Sequence, residues 1–357
     1  MGCCEATNPD LIGVPVYQGD LPITFDRRTA LKGMLGLAGV MFVSACGPKP
    51  VGEATKVRLA FCGQLLCVVP YEVARARGHF ADQGFDIELV YTRGGNAAMQ
   101  ALVGGAVEYA GTSLDVALQA VANGAAIRRF ASTGRLPLLA LAVAPGRADA
   151  IRAVKSLEGT TIGISGQGNA DHALLLYLLQ QAGVDPSAIR FATIGTNLFD
   201  ALRIGQVDAA MVQEPALSLI VAAGGRALVN FMDIDQSRTH LGGAYEFMGI
   251  DVRSTDRDRR LPEMRKVAKA LENGLADTRT IPPAEIIRAL PEALLAGSDV
   301  AQLTQIIERY RLSLYPEHVR IDVDAAQRVV RAQEIAGLLK PGAADLNTLL
   351  DMAAVEG

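Results

Sequence analysis

Four short segments carry the side chains best suited to hold a small polar molecule. In Cys62-Gly63-Gln64-Leu65-Leu66-Cys67 the Gln64 amide offers both donors and an acceptor, and a thiol stands at either end. These thiols lack the partners of a metal centre, because His79, His172, His240 and His318 are scattered without ligand spacing. They read as inert, as ligand contacts (Cys67 above all) or as a disulfide. Ser165-Gly166-Gln167-Gly168-Asn169-Ala170-Asp171 precedes an apolar helical run. Free backbone N–H groups at a helix start favour an anion or a carbonyl oxygen, which makes Ser165, Gly168 and Asn169 candidate contacts. Asp171 would repel an anion if it pointed inward, and capping by Asn169 or Asp171 accounts for the same residues without a ligand. His172 reads as solvated or capping. Thr112-Ser113, with Asp115, follows a small-residue strand, and Val212-Gln213-Glu214 follows another. Thr112, Ser113, Gln213 and Glu214 are therefore candidates at two strand ends, with bracing the bland alternative for Glu214. Asn96 and Asn197 start helices, as caps or contacts. Arg135 is the one cation nominated to meet an anion, with a solvated side chain as the bland alternative. Tyr71 and Tyr245 are stacking groups that also suit wall or core.

The elements that position these residues alternate strand and helix. Strands are expected at Lys56–Phe61, Phe85–Tyr91, Val107–Gly111, Leu138–Val143, Thr161–Ile164, Ile189–Ile194 and Val207–Val212. Between them lie a loop at Cys62–Val69, a helix at Pro70–Arg77, and helices at Ala97–Val103, Leu114–Ala122, Asp171–Gln181 and Leu198–Ile204. Shifted by 100 residues, Gly95, Ala101, Leu102, Gly105, Val107, Ala110 and Gly124 meet Gly195, Ala201, Leu202, Gly205, Val207, Ala210 and Gly224. Two similar α/β units in tandem predict two lobes, with the ligand in the crevice at the carboxyl ends of their strands. In this register Thr112-Ser113 and Val212-Gln213 face one cleft. From Ser254 onward only helices are expected, at Pro262–Asn273, Ala284–Ala296, Asp299–Arg309, Asp324–Ala336 and Asp345–Met352.

Composition agrees with this α/β reading. The 357 residues are 50% hydrophobic and 20% charged, which excludes wholesale disorder. A net charge of −4 gives no support to a nucleic-acid partner. Only 5% of residues are aromatic and none is Trp, which argues against a large aromatic cage. Five cysteines are too few for a disulfide scaffold at this length.

The N-terminus reads as a processing signal. Phe25-Asp26-Arg27-Arg28-Thr29-Ala30-Leu31-Lys32 resembles the twin-arginine export signature, with Ala30 where the pattern prefers Phe. The uncharged stretch Gly33–Ala45 is short for a membrane span, which needs ~20 residues. It ends in Val43-Ser44-Ala45-Cys46, which resembles a bacterial lipobox. Residues 1–45 are expected to be a removed twin-arginine-type lipoprotein signal peptide. Cys46 becomes the lipidated first residue of the mature chain, and 46–55 a tether. Met1-Gly2-Cys3-Cys4 fails the N-myristoylation pattern because position 6 is Ala. Such export places the protein on the periplasmic or cell-surface side of the cytoplasmic membrane, lipid-anchored, where a cytosolic ATP- or NAD-dependent enzyme is disfavoured.

Pro70-Tyr71-Glu72-Val73-Ala74-Arg75-Ala76-Arg77-Gly78-His79-Phe80, followed by Gly84-Phe85-Asp86-Ile87-Glu88-Leu89, resembles the opening of the nitrate/sulfonate/taurine group of ABC-transporter substrate-binding proteins. That group includes binders of pyrimidine precursors. Leu157-Glu158-Gly159-Thr160-Thr161-Ile162-Gly163-Ile164, then Gly166-Gln167-Gly168-Asn169, is a second matching segment. Ala201-Leu202, Gly205, Val207-Asp208-Ala209-Ala210 and Glu214-Pro215 form a third. The resemblance covers about residues 56–357 and weakens after Ser254. It implies an α/β, two-lobed periplasmic-binding-protein (Venus-flytrap) fold with a C-terminal helical return. Lobe one is placed at 56–140 plus 245–357 and lobe two at 141–244. It also implies closure of the lobes on a solute and docking on an ABC permease that works with an ATPase.

The reading is therefore an extracytoplasmic solute-binding component of an ABC importer for a small organic or anionic solute. It is expected to be monomeric, with no catalysis, cofactor, metal or nucleic acid. Two alternatives stand beside it. One is a ligand-sensing lipoprotein without a transport role. The other is a Cys-dependent desulfinase-like enzyme, for which Cys67 lies near the required place but no His or Arg partner appears in Gly94–Gly105.

Overall fold

The computed structural model describes residues 54–63, 65–295 and 298–356. The export signal read in 1–45, Cys46, the tether as far as residue 53, and Gln64 lie outside the described residues. The strands are β1 (Thr55–Cys62), β2 (Phe85–Thr92), β3 (Tyr109–Ser113), β4 (Ile127–Gly134), β5 (Ala140–Val143), β6 (Thr161–Ile164), β7 (Arg190–Thr193), β8 (Ala209–Val212), β9 (Arg226–Asn230) and β10 (Met248–Arg253). The helices among them are α1 (Leu65–Ala76), α2 (His79–Asp82), α3 (Gly95–Val103), α4 (Leu114–Ala122), α5 (Ala170–Gln181), α6 (Leu198–Arg203), α7 (Ala216–Ala222) and α8 (Ile234–Leu241). After β10 come α9 (Arg257–Thr280), α10 (Pro283–Ala289), α11 (Glu292–Leu295), α12 (Val300–Leu314), α13 (Val323–Ile335) and α14 (Leu346–Leu349).

Two five-stranded sheets share one plan, ordered β2-β1-β3-β10-β4 and β7-β6-β8-β5-β9. Each has three parallel strands, then an antiparallel strand, then an outer strand. The antiparallel member is in both cases the strand laid down when the chain crosses from the other sheet: β5 follows β4, and β10 follows β9. The 100-residue repeat has a backbone counterpart. Gly105 and Gly205 have φ of 78° and 75°, and Gly124 and Gly224 have 88° and 91°. Each pair turns the chain through the left-handed region, where a Cβ is unfavourable.

Several boundaries differ from the sequence expectation for physical reasons. Residues expected as a loop at Cys62–Val69 open α1 instead, because Leu65, Leu66, Val68 and Val69 are all buried and pack in helical register. Pro70 then lies inside the helix, where it cannot donate to the Leu66 carbonyl. The Tyr315 hydroxyl replaces that donor at 2.8 Å. Strands β4, β9 and β10 were not expected. In β4 the sequence Ile-Arg-Arg-Phe-Ala-Ser-Thr-Gly hides a buried strand behind polar residues. Arg129 is fully buried there; its guanidinium donates to Asp251 of β10 (3.0 Å), to the Thr112 carbonyl (2.8 Å) and to the Phe247 carbonyl (3.1 Å). A charge tolerates such burial only when paired and hydrogen-bonded. The first expected C-terminal helix is longer than read, since Pro262 is accommodated within the 24-residue α9. Gly274 lets α9 cross α1 closely: a Cβ there would lie 2.6 Å from the Ala74 Cβ.

Candidate functional site

A cavity of about 340 Å³ lies between the two sheets. It is bounded by the ends of β1 and β3 on one side and by the residues following β6 and β8 on the other, the positions where parallel strands of open α/β sheets present their carboxyl ends. Its wall is mainly apolar, with Leu65, Val116, Leu139, Leu198, Phe199, Met211, Phe247, Met248 and Leu294, and a few polar groups set into it. That mixture is typical of small-molecule sites.

Among the sequence candidates, Cys67, Thr112, Ser113, Ser165, Asn169, Gln213 and Glu214 line this cavity. Their hydrogen bonds distinguish them. The Thr112 hydroxyl donates to Asp251 at 2.6 Å and accepts from Arg129 at 3.1 Å, so it braces the floor. Ser113 caps α4, its Oγ accepting from the Val116 N–H at 3.3 Å. Ser165 donates from both N and Oγ to the buried Asp171 carboxylate. Burial pushes the Asp171 carboxyl up, and the N–H and hydroxyl of Ser165 hold it down. Since the Ser165 hydroxyl is spent on Asp171, its oxygen accepts from Asn169 Nδ2 at 3.0 Å. Asn169 Oδ1 and Gln213 Oε1 are buried and have no partner among the described residues. Glu214 accepts from the N–H and hydroxyl of Ser218, both at 3.0 Å, and braces the start of α7.

Other candidates lie elsewhere. Asn96 and Gly168 line a second recess of about 560 Å³ between α3, α4 and the turn before α5. Tyr71 is fully buried, stacked on Phe61 at 5.2 Å, and shares a hydrogen bond with Thr133 at 2.9 Å. Tyr245 is equally buried and donates to Asp115 at 2.7 Å. Both are core, not stacking platforms. Arg135 donates to the carbonyls of Ser313 and Leu312, at 2.9 and 2.7 Å, in the last turn of α12. Such carbonyls have no intrahelical donor, so Arg135 serves the helix end and not the cavity. His172 accepts from the Gly168 N–H at 3.2 Å, and burial lowers its pKa.

Sequence reasoning missed Arg93, Phe199 and Phe247. Arg93 is the cation on the cavity wall and has no ion-pair or hydrogen-bond partner among the described residues. Its place between β2 and the Gly94-Gly95 turn was the available signal. Phe247 belongs to the approach to the unexpected β10 and gave none.

Residues 68–282 match the sequence model of the NMT1/THI5-like family. No match appears among curated proteins. A solved structure of a protein from Bordetella bronchiseptica RB50 is 24% identical, with a TM-score of 0.76 over 84% of this chain and 95% of that one. The alkanesulfonate-binding protein SsuA of Xanthomonas axonopodis pv. citri, bound to MOPS, is 21% identical with a TM-score of 0.66, over 84% and 99%. The periplasmic nitrate-binding protein NrtA of Synechocystis PCC 6803 is 11% identical with a TM-score of 0.67, over 85% and 87%. The fold is that of the periplasmic binding proteins.

Proposed function

Because this chain belongs to the NMT1/THI5-like family, we propose that it is the extracytoplasmic solute-binding component of an ABC importer. The observation that carries this reading is the cavity held between equivalent strand ends of two sheets built on one plan. A molecule placed there touches both sheets, and its affinity is greatest when they close on it. The closed form then presents a surface to the permease, and the ATPase drives release. Cys46 supplies the lipid anchor in this scheme, and the sheet-one and sheet-two regions act as the two lobes.

Binding without chemistry is the reading for the cavity. The one wall residue considered as a nucleophile, Cys67, has its thiol pKa raised by the Cys62 thiol beside it and by burial. A nucleophilic cysteine needs the opposite shift. For the solute, Arg93 at the rim suits an acidic group, the aromatic and aliphatic wall suits an organic body, and the amides of Asn169 and Gln213 suit polar edges. A small organic acid or sulfonate fits this set better than a bare inorganic anion.

A thermal-shift panel on the chain from Gly47 tests the reading. It would include nitrate, bicarbonate, taurine, alkyl and aryl sulfonates, aromatic acids, thiamine pyrimidines and riboflavin. A solute at 100 times its Kd adds ~2.7 kcal/mol of stability, and a shift for an organic anion is expected. A panel in which only nitrate or bicarbonate stabilises the protein contradicts the solute class. In cells, Cys46→Ser should release the protein from membranes; retention contradicts the lipid anchor.

A further inference from the structure

We propose that Asp171 sets the polarity of the solute site: acting through Ser165, it turns the side-chain amide of Asn169 so that its oxygen is the free atom, and the cavity selects a solute that donates a hydrogen bond there. The inference rests on the solute-binding reading above. Asp171, Ser165 and Asn169 all line the cavity. Asp171 is 4% exposed and lies in the first turn of α5, where the helix N-terminus favours its negative charge. An ionised carboxylate only accepts hydrogen bonds. Its two oxygens take the N–H and the hydroxyl of Ser165, the hydroxyl at 2.8 Å. The single hydroxyl proton of Ser165 is thereby committed, so Ser165 Oγ can only accept from its other neighbour. That neighbour, at 3.0 Å, is the Asn169 amide, which must therefore turn its NH2 toward Ser165. Gly166 leaves room for this arrangement, since a Cβ there would lie 2.8 Å from Asn169 Nδ2.

The consequence falls on the other end of the amide. Asn169 Oδ1 is buried and has no partner among the described residues. Asn169 stands at the N-cap of α5, yet its side chain accepts from no N–H of that helix, so capping does not account for the oxygen. Gln213 Oε1, beyond the neighbouring strand β8, is a second buried acceptor without a partner among the described residues. The wall beyond β6 and β8 thus offers acceptors, whereas Arg93, beyond β2, offers donors. A solute with its acidic group at Arg93 meets acceptors at its other end. An N–H or O–H there satisfies an oxygen that an acceptor-only solute leaves desolvated and unpaired. Asp171→Asn inverts the site. The oxygen of the new amide must face the Ser165 N–H, so its NH2 faces Ser165 Oγ and donates. The Ser165 proton then turns to Asn169, whose amide flips and presents NH2 in place of oxygen.

Matched probes test this by calorimetry on the full chain: taurine against ethanesulfonate, sulfanilate against benzenesulfonate, and 4-aminobenzoate against benzoate. In the two aromatic pairs the amino group is uncharged, so the comparison reads hydrogen bonding and not charge. In the wild type the amino member of a binding pair should bind at least about tenfold tighter. In Asp171→Asn the ratio for the aromatic pairs should fall below one, a reversal that a merely structural role of Asp171 would not produce. Ser165→Ala frees the Asn169 amide to turn either way and should bring the ratio close to one; it decides the matter if Asp171→Asn does not fold. In the solute-free protein, nuclear Overhauser contacts between the Asn169 NH2 and the Ser165 Hβ atoms are expected in the wild type and lost in Asp171→Asn. Equal affinity within the pairs, a ratio unmoved by both substitutions, or absence of those contacts in the wild type overturns the inference and leaves the importer reading standing. A wild-type protein that binds no member of any pair overturns instead the organic-acid solute class, and the inference falls with it.

Discussion

At the scale of single residues, the site is a set of polar groups sorted by what already occupies them. Thr112, Ser165 and Glu214 are committed to Asp251, Asp171 and Ser218. Gln213 retains a buried oxygen with no partner. Gln213→Ala should therefore weaken solute binding several-fold, by about 1 kcal/mol, at little cost in stability; calorimetry with the stabilising solute checks this, and equal affinity removes Gln213 from the site. Behind the cavity floor, burial raises the Asp115 carboxyl to about 6 and the Glu246 carboxyl to about 7. A carboxyl raised in the folded state binds its proton more tightly there than in the unfolded chain. Its contribution to stability is then complete below about 4.5, the ordinary value for Glu, and is lost as pH rises through about 7. Glu246→Gln should flatten this slope and gain about 3 kcal/mol over the wild type at pH 8. Equal pH slopes of urea stability in the two proteins contradict it. Residue types named seven of the cavity's polar or thiol groups from sequence, yet could not separate the braced from the free, because that depends on partners as distant as Asp251.

At the scale of elements, the parallel half of each sheet was legible, since β1, β2, β3, β6, β7 and β8 follow alternating or apolar runs. The glycine pairs 105/205 and 124/224 exposed the repeat because each marks a turn needing positive φ. The crossing strand β10 and the outer strands were not legible. Their stability comes from pairings far along the chain, such as Arg129 with Asp251, which leave no local period. Helix α1 was cut short in the reading by Pro70, whose cost is met by a residue 249 positions from the carbonyl it frees. Tyr315→Phe should leave the buried Leu66 carbonyl unpaired and destabilise the protein by about 1–2 kcal/mol. Equilibrium unfolding checks this, and a loss below about 0.5 kcal/mol would show that the helix does not depend on that hydroxyl.

At the scale of the whole molecule, two sheets of one plan, joined by crossings between β4 and β5 and between β9 and β10, hold a cavity at their facing strand ends. The C-terminal helices pack on this frame through α9 against α1, and the Arg257–Asp351 ion pair ties the start of α9 to the chain after α14. The architecture supports capture and release of a solute by movement of one sheet region against the other. The most direct test is to incubate the protein with the solute that stabilises it, remove the excess, denature the chain and identify by mass what is released. One molecule per chain is expected, chemically unchanged. A released molecule that has been altered, or none retained by a protein it stabilises, would contradict binding in this cleft as the protein's function.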